Sequence, residues 1–265
     1  MTAAVNAARV LVIGGLLSYR ALFNWLSPWI LVPSFLVAPL FQILLFTYVG
    51  RAAGLESDKF YVIGNAIQYA AIPCLFAMGN TIGGERWQQT LPLILGTPAP
   101  RIPLFVGRAL PVVANGFVVA AFALVLGSAI LGVRVPLAAV APIALATAVS
   151  ALSCTGLGLV NAALGLRVRE VAVLSNVIFG VLLVFCGVNV AVRDLPGWMQ
   201  PISNALPLTH GIEAARRLAD GAAFGGVAGL LGTELAIGGA YMALGYGMLR
   251  FFETMSRRHA TLERA

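Results

Sequence analysis

Lysine is all but missing from this chain: Lys59 is the only one in 265 residues, histidine occurs twice, cysteine three times, and 10% of the residues are charged. Each shortage excludes something. The single lysine stands between Asp58 and Phe60, so the chain has no Gly-x-x-x-x-Gly-Lys-Ser/Thr loop with which to cradle nucleotide phosphates. His210 and His259 are far apart, and Cys74, Cys154 and Cys186 are odd in number without metal-ligand spacing. No metal site and no disulfide are therefore predicted, and the cysteines read as small apolar packing residues. A membrane-embedded enzyme would need paired acids, or a histidine beside an acid, at membrane depth, and that pattern is missing.

Apolar residues are what the chain has: 60% are hydrophobic and the mean hydropathy is +0.92, more than a soluble core of this size can hide from water. The composition predicts an all-α integral membrane protein. A crossing helix takes about 20 apolar residues, and lipid forces each such run to satisfy its own backbone amides. Six runs qualify: Pro28 to Val49, Phe60 to Ile82, Phe105 to Leu131, Leu137 to Leu164, Val171 to Val192 and Phe224 to Leu249. They make residues 28–250 a six-span bundle in a single transmembrane domain, with a tail over 251–265. Before it, residues 1–27 read as an interfacial helix, because Asn6, Arg9, Arg20 and Asn24 share one side of a wheel opposite Leu11, Leu22, Phe23 and Trp25. No cleavable signal peptide is expected.

The basic residues orient the bundle. With both termini cytoplasmic, eleven of the 17 lie inside and six outside (Arg51, Lys59, Arg134, Arg193, Arg216 and Arg217), the asymmetry that the positive-inside rule requires. The pI of about 9.9 then describes an inner face suited to anionic membrane lipids, and nothing points to nucleic acid. Short loops join most spans, which predicts antiparallel neighbours. Gly79 with Gly83, and Gly225 with Gly229, offer small surfaces for close helix approach.

Two connections are longer. In the inner one, Thr90 can cap a short helix that accepts Pro92 in its first turn and stops at Gly96 and Pro98, with Leu91, Leu93, Ile94 and Leu95 as its apolar surface and Glu85, Arg86 and Trp87 beside it. In the outer one, Trp198 after Pro196-Gly197 reads as an interface anchor, and Thr209 can cap a helix running to Asp220 with Glu213 spaced to pair with Arg216 or Arg217. His210, at that helix start, reads as a structural polar residue.

The order Glu85-Arg86, Thr90-Leu91, Leu93-Ile94-Leu95, Thr97-Pro98 and Gly107-Arg108, followed far along by Leu206-Pro207-Leu208-Thr209-His210-Gly211-Ile212-Glu213-Ala214-Ala215-Arg216, resembles the six-span permeases of ABC exporters of the polysaccharide and drug type. Gln89 and Pro92 depart from that pattern, where the family usually has Gly and an acid. The resemblance implies that the inner helix is a coupling helix that docks on an ATP-hydrolysing subunit, and that short outer re-entrant helices close the exit. It further implies two ATPase copies that carry the ATP and Mg, and a second permease copy or related chain around one pathway.

Eight polar side chains sit at lipid depth: Gln42, Asn65, Gln68, Asn115, Asn161, Asn176, Asn189 and Glu234. Asn65, Gln68, Asn115 and Glu234 are the candidates for a pathway. Glu234 is expected to face the bundle and to pair with an amide or an arginine, because an ionised group in lipid is costly. It also frames the alternative to ATP-driven export, an ion-coupled secondary transporter. Such a transporter usually has inverted repeats, and none is visible here.

Overall fold

The computed structural model describes residues 37–80, 101–168 and 170–259; the proposed interfacial helix and coupling helix lie outside them. Helices α1 (Ala38–Ala53), α2 (Asp58–Gln68), α3 (Arg101–Leu131), α4 (Leu137–Leu164), α5 (Val171–Phe185), α6 (Met199–Ala205), α7 (Thr209–Ala219) and α8 (Phe224–His259) follow one another, with no strand among the described residues. Local chemistry sets the ends. Gly54 closes α1 in the left-handed region (φ 64°), where a side chain would be strained. The Ser57 hydroxyl accepts from the Phe60 N–H to start α2. Arg51 donates to Asp58 across that turn at 2.8 Å.

α2 is the central helix, with every residue from Tyr61 to Gln68 buried. Pro73 then opens a π-helical turn, Pro73–Ala77, because its ring removes a helical N–H and crowds the preceding turn. The helix continues to Asn80, making a 23-residue apolar span. Asn161 of α4 is placed against this irregular turn: its Nδ2 donates to the Leu75 carbonyl at 3.1 Å and to Ser175 Oγ of α5 at 2.7 Å. One buried amide thus links three helices.

Close approach between helices uses small residues, and Gly79, which the sequence singled out, is one of them: a Cβ there would meet Asn161 of α4 and Val171 of α5, both at 2.9 Å. Gly156 and Gly245 face the backbone of α8 and α4 in turn, and Gly238 faces Ser153, while Gly158 lies against the Cys74 carbonyl. A Cβ on Gly225 or Gly229 would meet nothing within 4 Å.

Four described helical segments are long and apolar enough to cross a membrane: Asp58–Asn80, Ala109–Leu131, Leu137–Leu164 and Phe224–Phe252. α1 has 16 described residues. The expected fifth span is shorter than predicted. α5 ends at Phe185 instead of Val192, and its 15 residues reach about 22 Å at 1.5 Å each, short of a hydrocarbon core of about 30 Å. α8, by contrast, runs on through Leu249 to His259.

Candidate functional site

Beyond Phe185 the chain stops being helical at Cys186 to Val190, and what replaces the missing turns is a helical hairpin made of α6 and α7. Its depth can be read from its contacts. Gly211, near the start of α7, lies against Ser150, which is 13 residues along α4 from Leu137, about 20 Å at helical rise. At the other end of α7, Asp220 pairs with Lys59 at the start of α2 (2.9 Å). α7 therefore runs from inside the bundle out to its end, and the turn at Leu206 to Leu208 is its deepest point. Cys186 Sγ donates to the Pro207 carbonyl at 3.2 Å, so α5 stops where the hairpin turns.

An acid holds the deep end. Glu234 of α8 is fully buried, and its carboxylate accepts from the backbone N–H groups of Leu208 (2.7 Å), His210 (3.2 Å) and Gly211 (3.2 Å). The sequence led to an amide or arginine partner. The structure supplies instead the unsatisfied amides of a helix N-terminus, whose dipole favours negative charge. This also corrects the expected cap. Thr209 is the first residue of α7, and its hydroxyl donates to the Ser203 carbonyl of α6 at 2.7 Å. Leu208 occupies the cap position at φ 77°, the single non-glycine residue with positive φ among those described. That conformation costs a leucine about 1–2 kcal/mol, and the bond from Leu208 N–H to Glu234 together with complete burial holds it in place.

A cation holds the middle. Of the two arginines spaced to pair with Glu213, Arg217 does so, at 2.8 Å. Arg216 turns inward and donates to the carbonyls of Phe60 (Nε 3.3 Å, Nη2 3.0 Å), Gly187 (Nη1 2.7 Å) and Val188 (Nη2 2.7 Å), with its guanidinium over the Phe60 ring. The Gly187 and Val188 carbonyls lie just past the end of α5, where helical partners run out, and a non-helical backbone at this depth persists only when the protein satisfies it. Arg216 is itself buried. Gly64 makes room for it: a Cβ there would overlap the guanidinium.

Between these anchors lies a cavity of about 530 Å³. The turn after α1, the start of α2, the strand of chain after α5, α7 and the first turns of α8 form its walls, with Glu56, Arg193, Glu213 and Asp220 at the polar side and Cys186, Val192 and Leu230 at the apolar side. His210 lines it too, its Nε2 3.1 Å from the Asn204 carbonyl. Trp198 is two-thirds exposed beside the Phe185 ring.

The pathway candidates divide. Asn65 and Gln68 are joined by Gln42, whose Nε2 donates to Asn65 Oδ1 (2.8 Å) and Gln68 Oε1 (2.7 Å). Asn65 Nδ2 in turn donates to Asn189 Oδ1 (2.9 Å). The four amides tie α1 and α2 to the stretch after α5. Gln68 Nε2 is buried without a hydrogen-bond partner. Asn115 is half-buried on α3. Glu234 belongs to the hairpin. Phe60, Gly187, Val188 and Ser150 were not singled out in the sequence, since three of them act through their backbone or their size.

Residues 15–218 match the family model described as ABC-2 type transporter. No curated protein matches the chain.

Proposed function

Because this chain belongs to the ABC-2 type transporter membrane family, and so is a permease that works with an ABC ATPase, we propose that it exports a hydrophobic or amphipathic molecule such as a drug, a natural product, a lipid or a lipid-linked glycan. In this reading two ATPase subunits dock on the coupling helix through Glu85, Arg86, Trp87, Thr90, Leu91, Leu93, Ile94 and Leu95, bring the ATP and Mg, and drive two permease chains in the cell membrane, a bacterial inner membrane in this proposal. Cargo leaves at the far side. The observation that carries this reading is the arrangement of the two ends. Asn80 and Arg101, the residues that the coupling segment joins, lie at the end of the bundle opposite the turn between α1 and α2, where the α6–α7 hairpin emerges. A closure element on one side and an energy input on the other are the two parts that alternating access requires.

The hairpin then serves as the outer closure. Trp198 anchors it at the interface, Pro207 and Thr209 shape its deep turn, Arg216 fixes its middle, and Glu213 stays on its polar side, paired with Arg217. Glu234, as the acceptor of three backbone N–H bonds, is engaged in holding α7, which supports ATP coupling over the ion-coupled alternative.

Purification from native membranes in mild detergent tests the partner: an ATPase with a phosphate-binding loop is expected at stoichiometric amount. With that complex in liposomes, Glu85→Lys and Leu93→Ala are expected to cut cargo-stimulated ATP hydrolysis by about tenfold, the effect of losing about 1.4 kcal/mol of coupling. Unchanged stimulation in both variants would sink the docking assignment.

A further inference from the structure

The cavity beside α7 carries equal numbers of acids and bases: Glu56, Glu213 and Asp220 face Arg193, Arg216 and Arg217. An ion of one sign gains little from such a wall. We propose that this cavity holds the headgroup of a zwitterionic phospholipid, with its ammonium on Glu213 and Glu56 and its phosphate on Arg217 and Arg193.

Four observations lead there. The polar pairs are exchangeable: Glu213 and Arg217 meet at 2.8 Å with about half of each side chain exposed, and Arg193 reaches Glu56 at 3.5 Å with most of its side chain in the open. Exposed pairs of this kind contribute little to stability, so a ligand with both charges can insert, giving each residue a new partner and stranding none. Arg216 is not exchangeable, because it is committed to three backbone carbonyls. It also covers the face of Phe60, which removes the stacking surface that a sugar ring would use. Size agrees, since about 530 Å³ lies within the range of small-ligand sites. The apolar wall of Cys186, Val192 and Leu230 suits the glycerol and first acyl carbons.

Position names the source. Glu56, Phe60, Arg193 and Asp220 belong to helix ends and turns at one end of the bundle, the level at which lipid headgroups and water meet. Val190 and Trp198 leave exposed apolar surface in the same connection. A bilayer presents headgroups at that level at high local concentration, whichever side of the membrane this end faces.

The test uses the full chain in neutral detergent, without ATPase or nucleotide, so its failure would leave the export reading untouched. The protein is incubated with equimolar palmitoyl-oleoyl phosphatidylethanolamine and phosphatidylglycerol, and retained lipid is counted by native mass spectrometry. Phosphatidylethanolamine is expected to be retained in preference. Glu213→Gln with Arg217→Gln should lower its retention by about tenfold, equivalent to one such contact pair, and leave phosphatidylglycerol unchanged. The exchanged pair Glu213→Arg with Arg217→Glu should lower phosphatidylethanolamine retention as well, because it parts the acid from Glu56 and the base from Arg193. Preferential retention of phosphatidylglycerol by the unaltered chain, or undiminished phosphatidylethanolamine on the double glutamine variant, would overturn the proposal.

Discussion

Arg216 and Glu234 bring a base and an acid into the same buried region, yet neither is the other's partner in the hydrogen bonds they make. Each is matched instead to backbone groups that secondary structure leaves over: carbonyls where α5 stops, amides where α7 starts. Such bonds are strongest when the side chain is ionised, and deleting the side chain leaves several buried acceptors or donors empty. Arg216→Lys is therefore expected to destabilise the protein by about 2–3 kcal/mol, because an ammonium cannot span three carbonyls as the planar guanidinium does. The midpoint of thermal unfolding in detergent checks this. A midpoint equal to that of the unaltered chain would show that the carbonyls have other donors. At this scale the sequence was informative about which residues are unusual. Glu234, Asn65 and Gln68 stood out as polar groups at lipid depth, and all three prove buried and hydrogen-bonded. Their partners were not legible. The bonds of Glu234 and Arg216 cross 23 to 156 positions of chain, and no local pattern specifies a contact of that span.

Among the elements, α7 depends on what it lies against. Gly211 has Ser150 Oγ where a Cβ would go, and that hydroxyl is itself bonded to the Ala146 carbonyl at 2.9 Å. Gly211→Ala should lift the deep end of α7 away from α4 and weaken its three bonds to Glu234. Removing the hydroxyl with Ser150→Ala should recover part of the loss, since the remaining Ser150 Cβ would lie 3.2 Å from the new methyl group. A double-mutant cycle on unfolding midpoints is expected to give a coupling of about 1 kcal/mol in favour of the pair, and additive effects would mean that the two residues do not meet. The fifth span shows how an element can be misread from hydropathy. Cys186 to Val192 is still largely apolar, with Asn189 its one polar side chain and Gly187 its only breaker, so the run reads as continuous. It ends early because Arg216 supplies donors to the carbonyls of Gly187 and Val188, making a non-helical backbone affordable in a place where lipid alone would forbid it.

Across the whole molecule, the hairpin emerges at the end of the bundle opposite Asn80 and Arg101, along helices long enough to cross a hydrocarbon core of about 30 Å. Events at one end reach the other through α2, α4, α5 and α8, the described helices that touch the hairpin directly. Arg216→Lys is thus expected to lower transport while leaving the amount of ATPase that purifies with the permease unchanged. A matching loss of ATPase would mean that the hairpin is needed for assembly as well as for passage. That the chain lives in a membrane, where most of its helices begin and end, and which loops are long were all determined by the sequence itself, because hydropathy and helix breakers act over neighbouring residues and need no partner from afar. The tertiary structure alone decided that α7 plunges beside α4, that Glu234 caps it and that Arg216 completes the broken end of α5. Those outcomes depend on buried polar groups finding each other across the fold, and in a medium without water the arrangement that satisfies all of them at once is the one that persists.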